Sequence, residues 1–129
     1  MYDFYLTKED ENDMIFYQNR QIERMEEECL RVFELMPIDG RKSFNNRAKV
    51  LETENGYYLL SYNTIVCYLD KPGNINTQFC KCWDGYSVTT MRHINAFMRF
   101  NGLSLGGKKW WTSLEYNKLY SVSELLNIV

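Results

Sequence analysis

Apolar positions recur at steps of three and four along the first third of the chain, then at steps of two, then at three and four again. Ile15, Gln18, Ile22, Met25, Cys29, Val32 and Met36 form a heptad-like seam, and neither Pro nor Gly interrupts the chain between residue 8 and Pro37. Leu30, Phe33 and Leu35 widen the stripe toward its end. Thr7 with Asp10 resembles a capping box, and Glu9, Asp10, Glu11 and Asp13 put negative charge where a helix dipole is positive. The pattern predicts one long helix over 8–36. Its seam would pack on the protein's own sheet or against a second copy of itself.

After Ile38-Asp39-Gly40-Arg41-Lys42 the period becomes that of a strand. Strands are expected at 47–53, 57–62, 65–70 and 78–83, as a four-stranded antiparallel meander. Asn55-Gly56 is expected to turn the first hairpin with positive φ angles, Asn63-Thr64 joins the second and third strands, and Lys71-Pro72-Gly73-Asn74 makes the next turn. Tyr58, Leu60 and Tyr62 should share one face of their strand, and Ile65, Cys67 and Leu69 one face of theirs. One face of such a sheet needs cover, and the N-terminal helix is the expected cover.

A second helix follows, capped by Ser87 or Thr89, with Met91, Ile94, Phe97 and Met98 as its stripe and Asn101-Gly102 as its stop. Gly106-Gly107 breaks the chain again. Thr112 is expected to open one short helix, and Ser121 with Glu124 is a capping box for another. The fold class expected is α+β: a long N-terminal helix on a four-stranded antiparallel meander, then a second helix and short C-terminal helices. It reads as a single domain over 1–129, made of an acidic helix (1–37), a sheet-plus-helix core (41–103) and a Trp-rich helical tail (104–129).

At 129 residues with 45% hydrophobic side chains, the chain can bury a core without staples. A formal charge of −2 argues against a generally basic nucleic-acid binder. The charge is split, however: residues 1–36 hold four basic and ten acidic side chains, and the remainder eleven basic and seven acidic. Met1-Tyr2-Asp3-Phe4-Tyr5 lacks the basic start of a signal peptide, and no apolar run approaches a bilayer span. Cys29, Cys67, Cys80 and Cys82 therefore read as reduced thiols in a cytoplasm.

Catalytic chemistry has few carriers. His93 is the single histidine, so a two-His metal site is impossible and any Ser–His or Cys–His pair must use it. Cys80 and Cys82 point the same way along a strand, with Cys67 or His93 as further ligands, but their one-residue gap suits core packing better than zinc. No metal, cofactor or catalytic residue is expected. Three surfaces remain. The start of the second helix offers an anion site built from Thr89, Thr90, Arg92 and His93, approached by Arg41 and Lys42. Lys108, Lys109, Trp110 and Trp111 set cations beside indoles, one of which should face outward if the segment is extended. The acidic helix face presents Glu23, Glu26, Glu27, Glu28 and Glu34 to a partner.

Several phrases, in order, carry a resemblance: Arg41-Lys42-Ser43-Phe44, Ala48-Lys49-Val50, Ser61-Tyr62-Asn63-Thr64-Ile65-Val66, and Thr89-Thr90-Met91-Arg92-His93-Ile94-Asn95-Ala96-Phe97 with Asn101-Gly102. Over residues 41–103 the chain resembles small proteins encoded by phages and mobile elements of gut and dairy bacteria. It departs from them at Asn45-Asn46, where they tend to have Tyr-Gly. The resemblance implies a phage-associated origin and brings no activity with it. With the thin catalytic inventory it leads to the expectation of a protein-binding accessory protein, such as an anti-CRISPR inhibitor of a CRISPR-associated nuclease in the bacterial host. The alternative is a nucleotide- or nucleic-acid-binding module using the helix start and the Lys-Lys-Trp-Trp segment.

Overall fold

The computed structural model describes residues 24–71 and 77–128. A six-stranded antiparallel sheet runs in chain order: β1 (Arg31–Glu34), β2 (Ala48–Glu52), β3 (Gly56–Ser61), β4 (Thr64–Asp70), β5 (Gln78–Lys81) and β6 (Leu119–Ser121). Among the described residues it is accompanied by α1 (Val88–Phe100), α2 (Lys108–Ser113) and α3 (Val122–Leu126), and residues 24–28 are also helical. No helix among the described residues is long and apolar enough to cross a membrane.

The expected long N-terminal helix on a four-stranded sheet is overturned. Residues 24–28 are helical, but the chain bends at 29–30 and enters β1. The rest of that expectation, with Glu23 and the Thr7 cap, lies outside the described residues. The seam misled because Val32-Phe33-Glu34-Leu35 satisfies two periods at once. Read by twos, Phe33 and Leu35 share a face, and Leu35 is buried. β-Branched and aromatic side chains then favour the strand once β2 offers a partner. Val32 pairs with Leu51 and Phe33 with Val50, while Leu30 and Leu35 donate their N–H groups to Glu52 and Ala48 at 2.8 and 2.9 Å. β6 is the second strand that the periodicity did not announce.

The four central strands fall where alternation puts them. Their first hairpin does not use the positive-φ turn expected at Asn55-Gly56, since neither residue has a left-handed backbone. Gly56 is needed instead for closeness: a Cβ there would meet the Leu69 carbonyl oxygen and the Tyr68 ring. Between β3 and β4 the register shifts, Leu59 facing Cys67 but Leu60 facing Ile65, so Val66 is the extra residue of a bulge. Its carbonyl accepts from Cys82 N–H at 2.8 Å. The turn expected over 71–74 falls largely outside the described residues.

Cover for the sheet comes from α1. Ser87 caps it, its hydroxyl accepting from Thr90 N–H, and Gly102 (φ 78°) ends it. Met91, Ile94, Phe97 and Met98 are buried with Val50, Leu59, Leu69 and Phe79. Each such side chain contributes about 1.5–3 kcal/mol on burial. α2 begins at Lys108, so Thr112 lies inside it rather than opening it. Being helical, the segment turns both Trp110 (7% exposed) and Trp111 (0%) inward, against the expectation for an extended one. α3 has the Ser121–Glu124 capping box that its spacing announced.

Lys81 locks α2 in place. Its side chain is buried, and Nζ donates to the carbonyl oxygens of Trp111 and Leu114 at 3.0 and 3.2 Å, 4.7 Å from the Trp111 ring centroid. The ammonium thus caps a helix C-terminus, where the dipole favours a cation. Burial holds its pKa below the usual lysine range. Lys81 shares a face with Cys67, which it opposes across the ladder, so Cys67 is turned away from Cys80 and Cys82. Burial raises the Cys67 thiol strongly, and burial with the Cys80 neighbour pushes Cys82 up to about 12. Among the described residues no three His, Cys, Asp or Glu side chains gather as a metal site.

Candidate functional site

The phrases singled out in the sequence meet at one end of the sheet. Ser61 closes β3 and His93 lies one turn into α1; Ser61 Oγ is 2.8 Å from His93 Nδ1 and 3.3 Å from Thr90 Oγ1. Phe44, from the loop before β2, meets the imidazole edge-on at 4.5 Å between centroids. Tyr62, first residue of the β3–β4 turn, lies 5.8 Å from the same imidazole and 5.9 Å from the Arg47 guanidinium. Tyr62 N–H donates to Arg47 C=O at 2.7 Å, tying the two turns together.

These turns are tight. Asn45, Asn46 and Tyr62 have φ of 55°, 60° and 54°, in the left-handed region. Asn tolerates that region best among non-glycine residues, whereas a bulky aromatic there is uncommon. Ser43 Oγ accepts from Asn45 N–H at 3.1 Å, and the Glu34 carboxylate from Asn46 N–H at 3.1 Å.

The anion site expected at the α1 start is not assembled. Arg92 is paired with Asp39, an exposed loop residue, and its guanidinium lies 5.4 Å from the Phe44 ring centroid. That cation holds the Asp39 carboxyl below its usual range. One guanidinium nitrogen, Nη2, is buried with no hydrogen-bond partner. Thr90 and His93 turn inward to Ser61; Thr89 is half-buried; Arg41 and Lys42 are exposed. Burial, helped by the adjacent Arg92 charge, pushes the His93 pKa down to about 4, so the ring is neutral near pH 7.

The Ser61–His93 distance is that of a nucleophile–base pair. Yet Ser61 is 2% and His93 1% exposed, and no carboxylate among the described residues orients the imidazole. The pair clasps α1 to the sheet. Sequence reasoning missed Ser61, Phe44, Tyr62 and Arg47 as its companions. Three of the four lie in the quoted phrases, which were the available signal; Asp39 had none.

The other two surfaces also change. Lys108 and Lys109 are exposed on α2, Lys108 5.0 Å from the Tyr86 ring centroid, but the indoles behind them belong to the core. Of the acidic set, Glu27 and Glu28 are exposed on the helical residues 24–28, Glu26 is half-buried, and Glu34 sits on β1 rather than a helix. Among the described residues β1 ends the sheet order, and exposed apolar side chains lie along it and just beyond: Leu30 (62%), Val32 (37%), Met36 (58%) and Ile38 (51%).

Fold and site together describe a small antiparallel meander, sealed on one face by a helix, with a turn-built end and an apolar outer strand. Residues 33–113 match a family of unknown function, DUF8033, and the chain belongs to that family. No curated protein and no solved structure matches it.

Proposed function

We propose that the protein acts by binding another protein along its β1 edge. The observation that carries this reading is the exposure of Leu30, Val32, Met36 and Ile38 on and beside a terminal strand. Sheet proteins ordinarily protect such an edge with charge, bulges or Pro, because its backbone can pair with another chain. Strand addition combined with alternate apolar side chains is a recurring mode of peptide and protein recognition. Glu27 and Glu28, just before the edge, supply a polar rim.

Within that reading, the target class we favour is a nucleic-acid-handling protein of a bacterial host, such as a CRISPR-associated nuclease. Its phosphate-binding surface would meet the two carboxylates. The support for this finer step is the resemblance of residues 41–103 to phage and mobile-element proteins, and the family itself names no activity.

The test is a pull-down from bacterial lysate, with and without nuclease treatment, comparing the native chain with a Val32→Glu/Met36→Glu variant of unchanged melting temperature. A protein held regardless of nuclease and released by the double substitution is the expected result. Equal retention by both forms, or loss on nuclease treatment, would overturn the reading.

A further inference from the structure

The turn-built end gathers cations around a half-exposed ring. Arg41, Lys42 and Arg47 are exposed and enter no ion pair among the described residues. The carboxylates at this end are both engaged, Asp39 by Arg92 and Glu34 by the Asn46 N–H. Tyr62 is 47% exposed, although its backbone has the left-handed φ of 54° that bulky residues avoid. A residue that keeps such a conformation is held there by its surroundings, and such strain gathers at ligand-binding sites. Here Arg47, His93 and the turn hydrogen bond hold it.

The parts form a connected row. Arg41 N–H donates to Asp39, Asp39 pairs with Arg92, Arg92 lies over Phe44, and Phe44 and Tyr62 flank His93, with Arg47 beyond. Cations therefore stand at both ends of a floor whose exposed element is an aromatic ring. A chain of phosphates with unpaired bases matches that arrangement: cations neutralise the backbone and a rigid ring stacks a base, whatever its sequence. A duplex does not match, because its bases are already stacked on one another. An acidic peptide would use the cations but leave the ring without a planar partner.

We propose that this end of the molecule binds single-stranded nucleic acid, with Tyr62 as the stacking platform and Arg41, Lys42 and Arg47 on the phosphates. The proposal rests on these cations and the Tyr62 ring and does not depend on the protein-binding reading.

Fluorescence anisotropy of the full chain tests it, using labelled single strands of DNA and RNA about twelve nucleotides long, the same sequence as duplex, and a polyglutamate peptide. The single strands should bind best, and more weakly as salt rises from about 50 to 200 mM. Tyr62→Gly should weaken binding roughly tenfold or more while Tyr62→Phe keeps it. Glycine accepts the positive φ, so the ring can be removed without stressing the turn. Lys42→Glu, at an exposed position, should also weaken binding and serves if Tyr62→Gly fails to fold. Absence of single-strand binding at about 50 mM salt, or binding indifferent to both the ring and Lys42, would overturn the proposal. Polyglutamate binding as tightly as the single strands would reassign the surface to acidic peptides.

Discussion

Ser61 Oγ and His93 Nδ1 meet at 2.8 Å inside the seam between β3 and α1, and this contact joins the sheet to the helix that covers it. Both side chains are buried, and the imidazole is neutral near pH 7 because burial has pushed its pKa down to about 4.

Stability should therefore fall on mild acidification. The folded pKa lies below the ordinary 6.5, so as pH drops from 6.5 toward 4 the unfolded chain takes up the proton first. The contribution is fully present above 6.5, is lost through that window, and stops changing below it. A shift of this size corresponds to no more than about 3–4 kcal/mol. Urea unfolding between pH 7.5 and 4 should show the decline, and His93→Phe should flatten it in that window. An unchanged slope in the variant would assign the decline to carboxylates.

Replacing Lys81 by Met keeps most of its volume and removes its ammonium. The Trp111 and Leu114 carbonyl groups then lose their shared donor in a buried setting. The Trp111 carbonyl keeps the Leu114 N–H, so the expected cost is about 1–3 kcal/mol, from the Leu114 acceptor left without the ammonium and two charge-assisted bonds lost. Chemical denaturation measures it, and weakened burial of the indoles should appear as a red shift in tryptophan emission. A midpoint within error of the native chain would contradict the clasp.

Gly56→Ala should destabilise by about 2 kcal/mol or more, since the added Cβ meets the Leu69 carbonyl oxygen, a backbone atom, as well as the Tyr68 ring. The clash falls between β3 and β4, so hydrogen exchange should quicken first for amides of that hairpin. A melting temperature equal to the native one would show that the strands part easily there.

At the left-handed Asn46, Gly and Val should act in opposite directions. Asn46→Gly should be close to neutral, whereas Asn46→Val should cost about 1–3 kcal/mol, because a β-branched side chain resists positive φ. Thermal melting of the two variants decides, and equal melting temperatures would remove the turn-strain argument for this end.

Much of the architecture was legible before any coordinates. Alternation located β2 to β5, and Ser87 with Asn101-Gly102 bracketed α1, because each of these signals acts within a few residues. The capping box at Ser121 is of the same local kind. The site was legible only as a set of phrases. That Ser61, Phe44, Tyr62 and His93 converge is a matter of contacts between elements far apart in the chain, which no local pattern encodes.

By itself, then, the sequence determined the meander, the covering stripe of α1 and the helix caps, all consequences of side-chain period and backbone preference. Tertiary structure decided the rest. Residues 31–34 left the helical pattern because β2 offered a ladder, and 119–121 became a strand because β5 did. Trp110 and Trp111 turned inward because α2 is helical and held by Lys81, and Arg92 was taken from any anion by Asp39. In each case a partner distant in sequence outweighed a local preference that two structures satisfied almost equally.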